Sequence, residues 1–300
     1  MTDTILARHP RSAEVVTPAR QTRTHRAAAT EHDLVQVKDR ARKARLGRKR
    51  SIPGARLLGP LLIIVVWQLA ASGGLLDPRL LTGPDVAART GWTLIENGRL
   101  QENVLASLHR AMLGLALGVS AGVVLAIVGG LTRIGEAFVD GTLQVKRAIP
   151  NLALIPLLIL WLGIGEEFKV AVVALGVLIP IYINTYGALV SIDNRYVELA
   201  ETLRLTKLQY IRKVLIPGAL PGFFLGFRLA VVGSWMALIV VETINATSGV
   251  GYMMAQAQLY AQSDIILVGL VVYGIFGFTS DSLVRLLERR VLSWRRTLAS

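Results

Sequence analysis

Beyond residue 56 the chain is dominated by six apolar stretches, at 57–73, 108–130, 145–164, 168–190, 219–242 and 264–287. Each approaches the roughly 20 residues that a helix needs to cross the hydrocarbon core of a bilayer. The first is short and needs flanking residues to span. The third carries Pro150 and Pro156, breaks that membrane helices tolerate where neighbours satisfy the freed carbonyls. The pattern predicts an all-α polytopic membrane protein with about six transmembrane helices. Residues 1–33 have no sustained apolar periodicity and read as a disordered tail. Residues 34–50 are strongly basic and read either as solvated chain or as a helix lying on anionic head groups. This divides the chain into a basic tail, 1–50, and a membrane domain, 51–300.

Charge then orients the spans. The 300 residues carry a net charge of +13, yet 53% are apolar. Fourteen of the 33 basic residues lie within 1–56. If the amino terminus is cytoplasmic, the remaining inner segments are the 131–147 loop, the 191–218 loop, Arg228 and the carboxyl end. Only Arg79, Arg89, Arg99, Arg110 and Lys169 then fall outside. That asymmetry, on the positive-inside rule, puts both termini in the cytoplasm of a multi-pass cell-membrane protein. The charge is therefore a record of orientation, and no specific nucleic-acid partner is expected. With no cysteine, disulfide scaffolds, zinc-thiolate sites and cysteine catalysis are excluded.

Small residues recur every four positions in two spans: Gly114, Gly118, Gly122, Ala126 and Gly130, then Gly222, Gly226, Ala230 and Ser234. That spacing keeps them near one helical face, where backbones can approach closely. The partner helix is either in the same subunit or in another. Polar groups within spans are costly and often line a pathway. Asn151, Asn184, Tyr186, Ser234 and Glu242 are the candidates, although Glu242 also fits an interfacial carboxylate. The span centres lack Lys or Arg, which predicts weak polar contacts along the pathway.

The segment 191–217 has helix signals of its own. Asp193 fits an N-cap for a helix running to about Arg204. Thr206 and Gln209 fit a capping box that starts a second helix, and Pro217 followed by Gly218 predicts its end. This segment resembles the EAA loop of permease subunits in binding-protein-dependent ABC importers. That pattern is Glu-Ala-Ala, three residues, Gly, nine residues, Ile-x-Leu-Pro. Glu198, Ala200 and Pro217 match it, Val214 and Ile216 are close substitutions, and Leu199 replaces an Ala. Arg204 stands at the Gly position, where a positive φ strains a side chain. Either the turn shifts toward Thr206 or it needs no positive φ. A helical Glu201–Arg204 ion pair is also possible.

Further segments resemble the nitrate/sulfonate/taurine branch of these permeases: SLHRAMLGLALG (107–118), RAIPNLALIPLLILWLGIGEEFK (147–169), INTYGAL (183–189), LPGFFLGFRLAVVGSW (220–235), TSGVGYMM (247–254) and LVRLLERRVLSWRR (283–296). The resemblance implies a type I ABC importer fold and transport of a small anion, with an aliphatic sulfonate favoured over taurine or nitrate. It implies a homodimer, membrane lipid around it, a cytoplasmic ABC ATPase and an external solute-binding protein. Residues 74–104 and 244–263 are candidate contacts for that last partner, which is expected to carry the tight anion recognition. Glu198, Leu199, Ala200, Glu201, Leu203, Arg204, Leu205 and Pro217 would couple to the ATPase. The chain has no P-loop and no Gly-Lys dipeptide, so it is expected to be non-catalytic and without a cofactor of its own, with ATP and Mg on the partner. Two other classes compete: an ion-coupled secondary transporter, which the broken third span would suit, and a membrane scaffold whose tail binds lipid or nucleic acid.

Overall fold

The computed structural model describes residues 55–77, 80–132 and 135–294. The tail, 1–50, lies outside them. The chain divides into a short unit ending at Leu61 and a main unit from Leu62 onward. Helix α1 (Ala55–Ser72) crosses that boundary, and all other described elements belong to the main unit. They are α2 (Pro84–Glu96), α3 (Arg99–Leu131), α4 (Gly141–Ala148), α5 (Ile155–Leu162), α6 (Glu166–Val190), α7 (Asn194–Thr202), the single turn α8 (Lys207–Tyr210), α9 (Ile216–Asn245), α10 (Val250–Leu259) and α11 (Ser263–Val291).

The six apolar runs become three kinds of element. Among the described residues, four continuous helices are long and apolar enough to cross a membrane: Arg99–Leu131, Glu166–Val190, Lys207–Asn245 and Ser263–Val291. One pair, Glu136–Ala148 with Asn151–Leu162, qualifies together but is bent by 92°. The run nearest the amino terminus forms the shorter apolar helix Leu58–Ser72. The bend falls at Ile149–Pro150, where Pro150 restricts the residue before it to extended backbone; Ile149 has φ −91° and ψ 119°.

Helix α6 is the centre. Half of its apolar window is buried, against 28% for α3 and α11. It lies between α3 and α9, and both contacts are made through small residues. A Cβ on Gly118 would sit 2.5 Å from the Ala174 carbonyl oxygen, and one on Gly114 2.5 Å from Val173. On the other side, a Cβ on Gly222 would lie 2.4 Å from the Asn184 carbonyl oxygen, and one on Gly226 2.6 Å from that of Pro180. Real Cβ atoms cannot occupy such positions. Both small-residue stripes thus pack within one chain, against the same helix. Phe168, Val172, Val177 and Ile181 of α6 fill the core between them with Ala230 and Leu238 of α9. A second core forms where Leu94 of α2, Val250 and Met253 of α10 and Ile265 of α11 meet.

Three sequence expectations need correction. Pro217 does not end the second helix of the 191–217 segment. A π turn, Ile211–Leu215, leads directly into α9, with Pro217 in its first turn. Proline is tolerated there because its missing N–H falls among donors that need no intrahelical partner. Lys146 does not lie in a loop, and the spans do not all lack a central cation. Its Nζ reaches the carbonyl oxygen of Leu175, 3.2 Å away, in the middle third of α6. Arg110 and Lys169, counted with the outer charges, are both buried in ion pairs.

The close approach to α6 predicts position-specific cost. Gly118→Ala and Gly226→Ala should each destabilise the protein by about 1–3 kcal/mol, as overpacking does, and lower its melting temperature in detergent. Gly233→Ala, in α9 with nothing within 4 Å of its Cβ position, should not. Equal melting temperatures for all three would refute the packing assignment.

Candidate coupling loop and membrane pathway

The loop that joins α6 to α9 is built from local hydrogen bonds. Asp193 accepts from the Arg195 backbone N–H at 2.9 Å and caps α7. Thr206 and Gln209 exchange reciprocal bonds as a capping box that starts α8. Between them α7 closes in a Schellman turn. Arg204 N–H donates to the Glu201 carbonyl at 2.9 Å, and Leu205 N–H to the Ala200 carbonyl at 2.9 Å. This geometry requires a positive φ, and Arg204 has φ 47°. The turn therefore neither moves to Thr206 nor escapes the left-handed region. Arg204 adopts what a glycine would adopt more readily. Among the described residues Glu201 and Arg204 form no ion pair; their link is the backbone bond.

The expected loop residues occupy two environments. Ala200 is buried, while Glu198, Leu199, Glu201, Leu203 and Arg204 are exposed. Leu205 and Pro217 are half-buried. With Tyr196 and Val197, the exposed Leu199 and Leu203 form an apolar surface on α7. A surface of this kind, flanked by the carboxylates of Glu198 and Glu201, suits a protein partner.

The five polar candidates are not gathered into one site. Asn184 donates to the Pro180 carbonyl at 2.8 Å, and Ser234 to the Val231 carbonyl at 2.8 Å, each within its own helix. Tyr186 stacks on Tyr182 with ring centroids 5.4 Å apart. Asn151 accepts a hydrogen bond from Lys146 at the bend of the broken span.

Glu242 is the centre of the densest polar network in the described residues. Its side chain is fully buried. Ser107 Oγ donates to it at 2.8 Å, Arg110 Nη1 at 2.8 Å, Gly251 N–H at 2.9 Å and Tyr273 Oη at 3.1 Å. Asn103 and Ser107 accept from the Gly249 and Val250 N–H groups at 2.8 and 2.9 Å. These three N–H groups belong to the start of α10. Side chains from α3 and α9 thus replace the missing intrahelical acceptors, and the carboxylate complements the helix dipole. Gly249 and Gly251 are needed because a Cβ on either would fall within 2.7 Å of Glu242. Arg110 also forms a two-pronged pair with Glu166, Nε to Oε2 at 2.6 Å and Nη2 to Oε1 at 2.9 Å. Lys169 donates to Glu166 at 2.8 Å. Glu166 itself is 57% exposed. The sequence singles out Glu242 but not its side-chain partners Ser107, Arg110 and Tyr273, which lie 31 to 135 positions away along the chain. The glycine pair in TSGVGYMM was the available signal.

Residues 116–293 match the model of the binding-protein-dependent transport system inner membrane component family, and the chain belongs to that family. Two relatives carry the name SsuC and are provisionally assigned as aliphatic sulfonates transport permease proteins. The one from Escherichia coli K12 is 42% identical over 235 residues, 78% of this chain and 89% of its own length. The one from Bacillus subtilis strain 168 is 38% identical over 251 residues, 84% of this chain and 91% of its own. The taurine transport system permease protein TauC of E. coli K12 is 29% identical over 237 residues, 77% of this chain and 86% of its own. The chain is thus a multi-pass membrane permease subunit of an ABC importer, which works with ATPase subunits.

The network makes a stability prediction. Removing one member of a buried charge pair leaves the other uncompensated, at a cost of about 3–5 kcal/mol. Glu242→Gln should therefore lower the melting temperature of the purified protein sharply. Glu167→Gln, at an exposed carboxylate that makes no ion pair among the described residues, should lower it far less. Equal shifts would contradict the assignment of Glu242 as the buried hub.

Proposed function

We propose that this permease imports a small organic anion, an aliphatic sulfonate in preference to taurine or nitrate, across the cell membrane into the cytoplasm. The observation that carries the substrate reading is the ranking of relatives: 42% and 38% identity to the two SsuC proteins against 29% to TauC. Both termini face the cytoplasm in this reading, and the 191–217 loop lies on that side. Two copies form the pathway between them. A solute-binding protein docks on the opposite face, at residues 74–104 and 244–263, and supplies the tight selection of the anion.

Each copy presents α7 to one ATPase. The partner binds ATP and Mg, since this chain has neither a P-loop nor a Gly-Lys dipeptide. Glu198, Glu201 and the apolar Leu199 and Leu203 are the contact surface. Ala200 and Arg204 hold the turn that sets its angle, and Leu205 and Pro217 lead back toward the span. Closure of the two ATPases would move α7 and α8, and with them the ends of α6 and α9. Such a displacement can bias the spans between two packings.

Two experiments test this reading. The complex, reconstituted with its ATPase and binding protein, should hydrolyse ATP faster when ethanesulfonate is supplied than with taurine or nitrate. Stimulation by nitrate alone would overturn the substrate. Glu198→Lys and Ala200→Pro should insert normally yet reduce ATP-dependent uptake by about tenfold or more, the loss of a coupling energy of about 1.4 kcal/mol. Wild-type uptake by both variants would overturn the coupling role of α7.

A further inference from the structure

Lys146 is out of place for a helix that crosses a membrane. It sits four residues before Pro150, at the 92° bend between the two halves of the broken span. Its Nζ donates to Asn151 Oδ1 and to the Leu175 carbonyl oxygen. Both acceptors are neutral, and among the described residues no carboxylate lies within ion-pair distance. An ammonium has three donors, so one remains for a further acceptor. A cation at this depth is costly unless it meets a polar pathway or a counter-charge. Arg228, by contrast, is paired with Asp281 at 2.7 Å, and Arg110 with Glu166 and Glu242. Lys146 is therefore the exception among the cations set between these helices.

A cleft of about 250 Å³ opens on the same helix, lined by Leu143, Gln144, Arg147, Tyr182, Ile183 and Tyr186 but not by Lys146 itself, with Asp140 engaged by Tyr182 and Gln144. Broken helices build binding points in membrane proteins because the break exposes polar groups away from lipid.

We propose that Lys146, oriented by Asn151, is the point in the pathway where the anionic head group of the transported solute is neutralised in transit. This deepens the proposed function and rests on it. The contact is a single charge-assisted hydrogen bond, strong enough to select charge and weak enough to release the solute.

The absence of cysteine from the chain gives a direct test in the reconstituted complex, with ethanesulfonate as the probe. Wild-type uptake of ethanesulfonate is the control for the proposed function; its failure there concerns that reading and not Lys146. Given wild-type uptake, Lys146→Gln should transport about tenfold less or worse per ATP hydrolysed, the loss expected for one charged hydrogen bond. Lys146→Arg should retain most of it. Lys146→Cys should be as poor as Lys146→Gln and should recover after modification with a cationic aminoethyl methanethiosulfonate, but not with its anionic sulfonatoethyl analogue. Wild-type uptake by Lys146→Gln would overturn the proposal. So would equal loss in the Gln and Arg variants, or a Cys variant that neither reagent distinguishes.

Discussion

The close contact of α6 with α3 on one side and α9 on the other is the constraint on which the rest depends. In lipid, apolar side chains gain little by leaving one hydrocarbon surface for another. Helices associate through van der Waals packing at short distance instead. Gly114, Gly118 and Gly122 bring α3 against α6, while Gly222 and Gly226 bring α9 against its other flank. Larger residues such as Phe168 and Ile181 then fill the layers that the glycines leave. The outward faces remain apolar, as at Leu117, Val124, Leu225 and Val232, and suit contact with lipid tails.

Helix α6 consequently joins three sites. Glu166, at its first turn, links Lys169 and Arg110 to the buried hub at Glu242. Leu175, in its middle third, offers its carbonyl to Lys146. Val190 ends it directly before the Asp193 cap of α7. A displacement applied to α7 is thus applied to a helix that cannot slide independently of its two neighbours. The hub at Glu242 holds the opposite end, because it ties α3, α9, α10 and α11 through one carboxylate. The two ends differ in kind: an exposed loop made of local backbone bonds, and a buried network made of long-range side-chain bonds.

That difference explains what could be read from the chain and what could not. The spans were legible because the bilayer imposes length and polarity on each stretch separately. The Asp193 cap and the Thr206–Gln209 capping box were legible because capping is local. Glu242 was visible only as an anomaly, since Ser107 and Tyr273 come near it through packing that no local pattern encodes. Lys146 was misplaced because the bend at Pro150 carries the preceding turns alongside α6, whereas a hydropathy window assigns that charge to a loop. The continuation through Pro217 was missed because a proline usually marks a helix boundary; the π turn before it moved the boundary. Arg204 was undecidable from its identity, since the two bonds from Arg204 and Leu205 back to α7, not residue preference, set its φ.

Packed through Gly114, Gly118 and Gly122, α3 and α6 are expected to move as one body when the permease works. This can be tested by locking them together. Cysteines at Gly130 and Leu189 would be joined readily, since a Cβ on Gly130 would lie 3.3 Å from that of Leu189, close to the usual disulfide range. No other thiol exists in the chain to compete. Oxidation of the Gly130→Cys, Leu189→Cys variant should leave ATP-dependent uptake in proteoliposomes unchanged. Uptake that is lost on oxidation and restored on reduction would mean that the two helices separate during transport, which contradicts the account.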